Sequence, residues 1–346
     1  MRPNRFLAGV AALAATLALA ACGGGSDTED AAATDAPSGA AATFPVTVKH
    51  ALGTTTIEKK PVRVAAVQWA NHEVPLALGI TPVGMAAANF GDDDGDGVLP
   101  WVKDKLTELG GATPVLFDET DGIDFEGVSN TKPDVILAAY SGLTQEDYDT
   151  LSKIAPTVAY PTGPWATAWR DTIKLESQAL GLPAEGDALI AKLENDMKTE
   201  VAKYPALAGK SAMFITHIDP ADLSKISYYT PADTRGAFFA DLGLKTPESV
   251  TKATAGSKEF SGSVSAEQIE TFNDVDIVVT YGDDKLLSAV QANPLLSKMK
   301  AIKDGSIVVL SGTSPLGTAA NPTPLSISYV LGDYVKMLGD AAAKAS

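Results

Sequence analysis

Residues 183–204 read Pro183-Ala-Glu-Gly-Asp-Ala-Leu-Ile-Ala-Lys-Leu-Glu-Asn-Asp-Met-Lys-Thr-Glu-Val-Ala-Lys-Tyr204. Leu189, Leu193, Met197 and Val201 recur every fourth residue with Glu and Lys between them, the pattern of a helix with one apolar stripe. Pro183 suits a first turn, where its missing N–H costs nothing, and Pro205 with Gly209 ends the element. No strand pattern interrupts the stretch. The spacing predicts one long helix, and what lies on either side of it looks alike.

On both sides, short β-branched runs alternate with helical patterns. The runs are 62–67, 134–140 and 157–160 before the helix, and 212–218, 276–281 and 306–310 after it. Most are continuously apolar, as strands covered on both faces are. Between them, residues 145–154 place Tyr148, Leu151 and Ile154 on one helical face, and residues 168–180 gather Ile173, Leu175 and Leu180. Residues 266–272 precede a strand, and 324–338 close the chain with an apolar stripe from Leu325 to Leu338. Strand-helix alternation predicts an α/β fold: two Rossmann-like lobes with mostly parallel sheets, joined by a single long helix. The expected boundaries are 44–182 for the first lobe, 183–205 for the helix and 206–346 for the second lobe.

The N-terminus reads differently. Arg2 and Arg5 precede an apolar run from Phe6 to Ala21, a secretory signal over 1–21 that is shorter than the ~20 apolar residues a spanning helix needs. Cys22, the one cysteine, follows Leu19-Ala20-Ala21. That order resembles the lipobox of bacterial lipoproteins, which implies cleavage before Cys22 and acyl chains, palmitate among them, on its mature N-terminus. Each buried methylene contributes about 0.8 kcal/mol, so two or three chains hold a protein on a membrane. Residues 22–43, made of Gly, Ala, Ser, Thr, Asp, Glu and Pro, have no large apolar side chain to offset chain entropy and read as a flexible tether with a reach of about 25 Å.

The chain holds 43 acidic and 27 basic residues, a formal charge of −16, and loss of Arg2 and Arg5 with the signal makes it −18. Binding of nucleic acid through a basic face is thereby excluded as a reading. Catalytic signatures are missing too: no Gly-x-Ser-x-Gly elbow, no Walker loop, no Gly-x-Gly-x-x-Gly after a strand. His50, His72 and His217 never occur at metal-ligand spacing, so a direct metal site is not expected. Asp92-Asp93-Asp94-Gly95-Asp96-Gly97 opens like a calcium loop, but Lys103 or Lys105 stands where a bidentate Glu belongs, which favours an acidic turn before a helix at 99–109.

Aromatic residues at strand ends carry more information. Trp69 follows the run 62–67, Tyr140 ends 134–140, and Trp165 precedes a helix; Tyr228 and Tyr229 precede Arg235, and Phe260 stands before another helix. One such ring is as easily core packing as ligand contact. The set, spread over both lobes beyond strand ends, predicts a cleft for a sizeable organic ligand, with Arg235 for oxygen-rich anionic groups.

The body, from about Val62 to Leu338, resembles the siderophore-binding class of periplasmic binding proteins of ABC transporters, the ferric-siderophore and ferric-dicitrate branch. Arg63-Val64-Ala65-Ala66-Val67-Gln68-Trp69 with Leu76-Ala77-Leu78-Gly79-Ile80-Thr81-Pro82-Val83-Gly84 is similar to its first strand and helix. Lys132-Pro133-Asp134, Ile154-Ala155-Pro156-Thr157-Val158 and Asn293-Pro294-Leu295 follow in the family's order. The resemblance implies that Trp69, Tyr140, Phe260 and Arg235 contact the cargo, with Trp165 and Tyr229 beside them, and that Glu126 and Glu267 dock one lobe each on the permease. The segment Ser314-Pro315-Leu316 lacks the ring that some hydroxamate-binding members carry there. The reading is an extracytoplasmic, lipid-anchored monomer that captures a ferric siderophore and hands it to an ABC importer, with no catalytic step and no cofactor. The alternative is a haem or cobalamin-type corrinoid binder of the same transporter class; an anchored esterase is the rival from another class.

Overall fold

The computed structural model describes residues 43–216, 218, 222–257, 259–283 and 285–345, all within one compact unit, Gly39–Ser346. The signal segment, Cys22, the tether up to residue 42 and His217 lie outside the described residues.

The chain enters through a hairpin of β1 (Val46–His50) and β2 (Gly53–Ile57). The first sheet follows: β3 (Val64–Ala66), β4 (Gly84–Ala86), β5 (Val115–Phe117), β6 (Val135–Ala138) and β7 (Thr157–Ala159), in the order β5-β4-β3-β6-β7 and parallel throughout. The second sheet holds β8 (Ala212–Ile215), β9 (Lys225–Tyr229), β10 (Ser261–Ser265), β11 (Ile277–Tyr281) and β12 (Ile307–Leu310), in the order β10-β9-β8-β11-β12. There β8, β11 and β12 are parallel, whereas β9 runs antiparallel to both its neighbours.

The two orders are the same permutation, and a side-chain device repeats with them. Asp134, just before β6, accepts the amides of Val62 and Arg63 at 3.0 and 3.1 Å; Asp276, just before β11, accepts the amide of Ser211 at 2.8 Å. In each lobe a carboxylate clips the start of the first strand to the start of the fourth. Both carboxyls are held below the usual range: for Asp134 the Val62 amide is the largest cause, and for Asp276 burial pushes the other way but is outweighed by the Ser211 bonds together with the Lys210 ammonium.

The long helix spans Pro183–Val201, with Pro183 in its first turn. Its buried stripe is Gly186, Ile190, Leu193 and Met197, one position off the strict four-residue repeat on part of the helix; Leu189 and Val201 flank it half-buried. The drift follows from 3.6 residues per turn. Ile190, Leu193 and Met197 belong to one apolar cluster that also takes Val74 and Trp101 from the first lobe and Phe214, Phe238 and Val308 from the second. The closing helix, Ser326–Ala342, adds Ile327, Val330, Tyr334, Val335 and Leu338 to the same cluster. The lobes therefore share a core along this edge.

All six expected strands are present, shortened at their ends. The hairpin, β4, β5, β9 and β10 were not among the expected strands. The helix at Gln145–Ile154 starts at the capping box of Thr144 and Asp147, whose side chains satisfy each other's backbone amides. In the acidic turn, Asp92 accepts the amides of Gly95 and Gly97, and the Lys103 ammonium lies 2.6 and 2.7 Å from Asp94 and Asp96, ahead of the helix Pro100–Glu108.

Candidate functional site

In the first sheet the strand order reverses between β3 and β6, the position where α/β sheets open a crevice beyond their carboxyl ends. Trp69 follows β3 and Tyr140 follows β6. The fully buried Asn71 stitches the two loops together: its amide donates to the Val67 and Tyr140 carbonyls at 2.7 and 2.9 Å, and its oxygen accepts the Tyr140 amide at 2.8 Å. Gln68 and Ala70, on either side of Trp69, hold φ of 59° and 62°, a region that side chains with a Cβ avoid. Residues held this way cost about 1–3 kcal/mol each and persist where the surroundings fix them. Here the Gln68 amide donates to Glu119 at 2.9 Å and its side-chain oxygen accepts the Gly142 amide at 2.6 Å.

Trp165, after β7, also has positive φ, at 56°, and its amide donates to the Ser141 carbonyl at 2.9 Å. Its indole lies edge-on to Tyr140, centroids 5.5 Å apart, directly over Gly142: a Cβ there would fall 2.4 Å from the indole nitrogen. Gly142 is thus the residue that lets the ring lie flat on the backbone. Trp165 and Phe260 stay 43% and 57% exposed, large rings presented to solvent and not to the core.

Across the crevice, Asp233 caps the helix Thr234–Asp241 and grips Arg235 twice, Nε to Oδ1 at 2.8 Å and Nη2 to Oδ2 at 2.7 Å. Burial opposes the guanidinium charge, but the paired carboxylate outweighs it and raises the pKa further. The guanidinium also stacks on Tyr229, 3.7 Å from the ring centroid. Asn321 joins the halves: it donates to the Tyr140 hydroxyl at 3.4 Å and accepts from Thr234.

Trp69, Tyr140, Trp165, Arg235 and Phe260 all line one cavity of about 590 Å³, with Asp233, Glu259 and Asn321. Of the six expected ligand residues, Tyr229 alone is absent from that lining and stands behind Arg235 as its stacking platform. Among the described lining residues the charged groups are Arg235, Asp233 and Glu259, so the cavity carries no net positive charge. Asn71, Asp233, Glu259 and Asn321 were not singled out as site residues. Asp233 had a local signal, an Asp two residues before the Arg at a helix start; Asn321 had none, because its partners are 87 and 181 residues away.

The expected docking residues are exposed and topologically matched. Glu126 is in the first turn of the helix Phe125–Asn130, which leads to β6; Glu267 is in the first turn of the 3₁₀ helix Ala266–Phe272, which leads to β11. His50 and His72 are buried, His50 bonded to Thr55 at 3.0 Å.

A family model described as periplasmic binding protein matches residues 64–313. The chain is 28% identical over 271 residues, 75% of its own length and 78% of the relative's, to the Bacillus subtilis (strain 168) protein named "Probable siderophore-binding lipoprotein YfiY". Among solved structures it is similar to Streptococcus pneumoniae TIGR4 PiaA in complex with ferrichrome, with TM-score 0.82 and 48% identity over 87% of this chain and 100% of that one. It is also similar to a periplasmic solute binding protein from Mycobacterium smegmatis str. MC2 155, with TM-score 0.70 and 26% identity over 86% of this chain and 98% of that one.

Proposed function

This chain belongs to the periplasmic binding protein family, and from that premise we propose that it captures a ferric siderophore in the cavity between its lobes and delivers it to an ABC importer. One observation carries the reading: four aromatic rings and one arginine, drawn from both lobes, surround a single cavity of about 590 Å³. A ferric chelate already satisfies its metal, so the protein supplies flat apolar contact and a few directed hydrogen bonds, with no catalytic step. The similarity to PiaA, solved with ferrichrome, supports the same cargo class.

The electrostatics favour one branch of that class. Arg235 is already balanced by Asp233, and Glu259 adds a negative charge. A trianionic ferric tris-catecholate would enter without a countercharge, whereas an uncharged ferric trihydroxamate would not need one. Arg235 lines the cavity with its guanidinium orientation fixed by Asp233 and Tyr229.

Delivery is read from Glu126 and Glu267, an exposed carboxylate at the matched place of each lobe, and lipid attachment from Cys22 at the end of the signal segment. Both are tested in cells that depend on the protein for iron. Glu126→Ala with Glu267→Ala should leave ligand binding intact and abolish uptake, and Cys22→Ala should release the protein from the membrane fraction. Normal uptake by the double variant would remove the docking assignment, and retention of the Cys22 variant on membranes would remove the anchor.

A further inference from the structure

Trp69 and Trp165 wall a second cavity, of about 210 Å³, on the first-lobe side of the cleft. Gln68, His72, Asn89 and Glu119 supply its polar lining. Three buried polar atoms without a partner belong to these lining residues: Glu119 Oε1, His72 Nδ1 and Trp69 Nε1. Glu119 is held by a single bond, from the Gln68 amide to Oε2, which leaves its other oxygen free. Among the described lining residues no side chain is cationic, and Glu119 is the one acidic group. Two indole rings with one half-buried carboxylate make a chemistry that suits an organic ammonium: the rings offer their negative faces and the carboxylate offers charge.

We propose that this cavity is a subsite for a protonated amine carried on the organic frame of the ferric chelate, with Glu119 as its counter-ion. The inference rests on the capture of an uncharged ferric trihydroxamate in the neighbouring cleft. Trp69 and Trp165 line both spaces, so the subsite adjoins the cleft at these two rings. His72 stays neutral beside an incoming cation, since burial lowers its pKa to about 4. Burial raises the Glu119 pKa to about 7, and an ammonium beside this carboxyl would restore its charge.

The test compares ferrioxamine B, a ferric trihydroxamate with a terminal amine, with its N-acetylated form, by tryptophan quenching at pH 8. The wild-type protein should prefer the free amine on the order of tenfold, the scale of a desolvated cation on aromatic and carboxylate groups. In Glu119→Gln, which keeps the acceptor for the Gln68 amide, the preference should disappear. The ratio of the two ligands within each protein is the readout, so a general loss of affinity does not imitate the effect. Equal affinity in the wild type would overturn the subsite and leave the capture reading standing. A preference undiminished in Glu119→Gln would remove Glu119 from it. Failure of both chelates to bind would overturn the subsite together with the trihydroxamate reading on which it rests.

Discussion

Glu119 shows how a single side chain can cost stability for the sake of a site. Its carboxyl pKa stands at about 7, raised by burial and by the charge of Asp124 against one hydrogen bond from Gln68. A group that holds its proton more tightly when folded stabilises least where it must ionise, so this contribution to stability is lost as pH rises from about 4.5 through 7. Gln at this position does not titrate. Glu119→Gln should therefore be more stable than the wild type at pH 8, by on the order of 3 kcal/mol at about 1.4 kcal/mol per unit, with most of that gain gone at pH 4. A gain independent of pH would mean that the carboxyl is not strained by burial. Two other carboxyls share the theme: Glu73 and Glu176 are wholly buried, and burial raises both. Glu73 accepts from Trp101 at 2.7 Å and from the Leu325 amide at 2.8 Å, which pins the last crossover to the first lobe. At this scale Trp69, Tyr140 and Trp165 were legible in the sequence because each follows an apolar strand, whereas Phe260 stands just before β10. Glu119 and Asn71 were not, since what singles them out is the long-range partner or the lack of one.

Among the elements, strength of local signal decided what could be read. The capping box at Thr144 and Asp147 and the continuous runs of β6, β8 and β11 announce themselves. β4 and β5 are three residues each, below any periodicity. β1 and β2 alternate with buried and exposed positions through a Thr-rich stretch, and β10 is Ser-Gly-Ser-Val-Ser, so neither offers a continuous apolar run. β9 alternates as an antiparallel strand in a lobe expected to be mostly parallel. The long helix was found from its stripe, but one close approach to its neighbour comes at a residue without a side chain. Gly186 faces the helix Trp169–Ala179, where an added Cβ would lie 2.1 Å from Ser177 Oγ and 2.6 Å from its Cβ. Gly186→Val should cost about 1–3 kcal/mol by overpacking, seen as an earlier denaturant midpoint with unchanged slope. An unchanged midpoint would mean that these helices yield easily, and with them the rigidity of the edge that joins the lobes.

For the whole molecule, three ties between the lobes stand out among the described residues, besides the Asn321–Tyr140 bond in the cleft. One is the shared apolar cluster along the long and closing helices. Another is Glu73 with Leu325. The last is Asp241, which accepts from Trp169 Nε1 at 2.8 Å and Arg170 Nη1 at 2.7 Å. A packed helix and fixed polar bonds resist the wide hinge motion that a flexible linker allows. Ligand binding should therefore leave the small-angle scattering profile nearly unchanged; a large fall in radius of gyration on saturation would contradict a stiff frame. The sequence conveyed this architecture through repetition, two similar series of strands about one helix, whereas the polar ties that stiffen it join residues too distant for any pattern to connect.

The central claim is that a cavity without net positive charge between these lobes selects an uncharged ferric trihydroxamate centre over an anionic ferric chelate. Tryptophan-quenching titrations of the folded body with ferrichrome and with ferric enterobactin, side by side at one ionic strength, test it most directly. Saturable quenching by ferrichrome with binding of the trianionic tris-catecholate weaker by at least about a hundredfold, the scale of one uncompensated charge near a protein surface, is the expected result. Equal or tighter binding of ferric enterobactin would contradict the account.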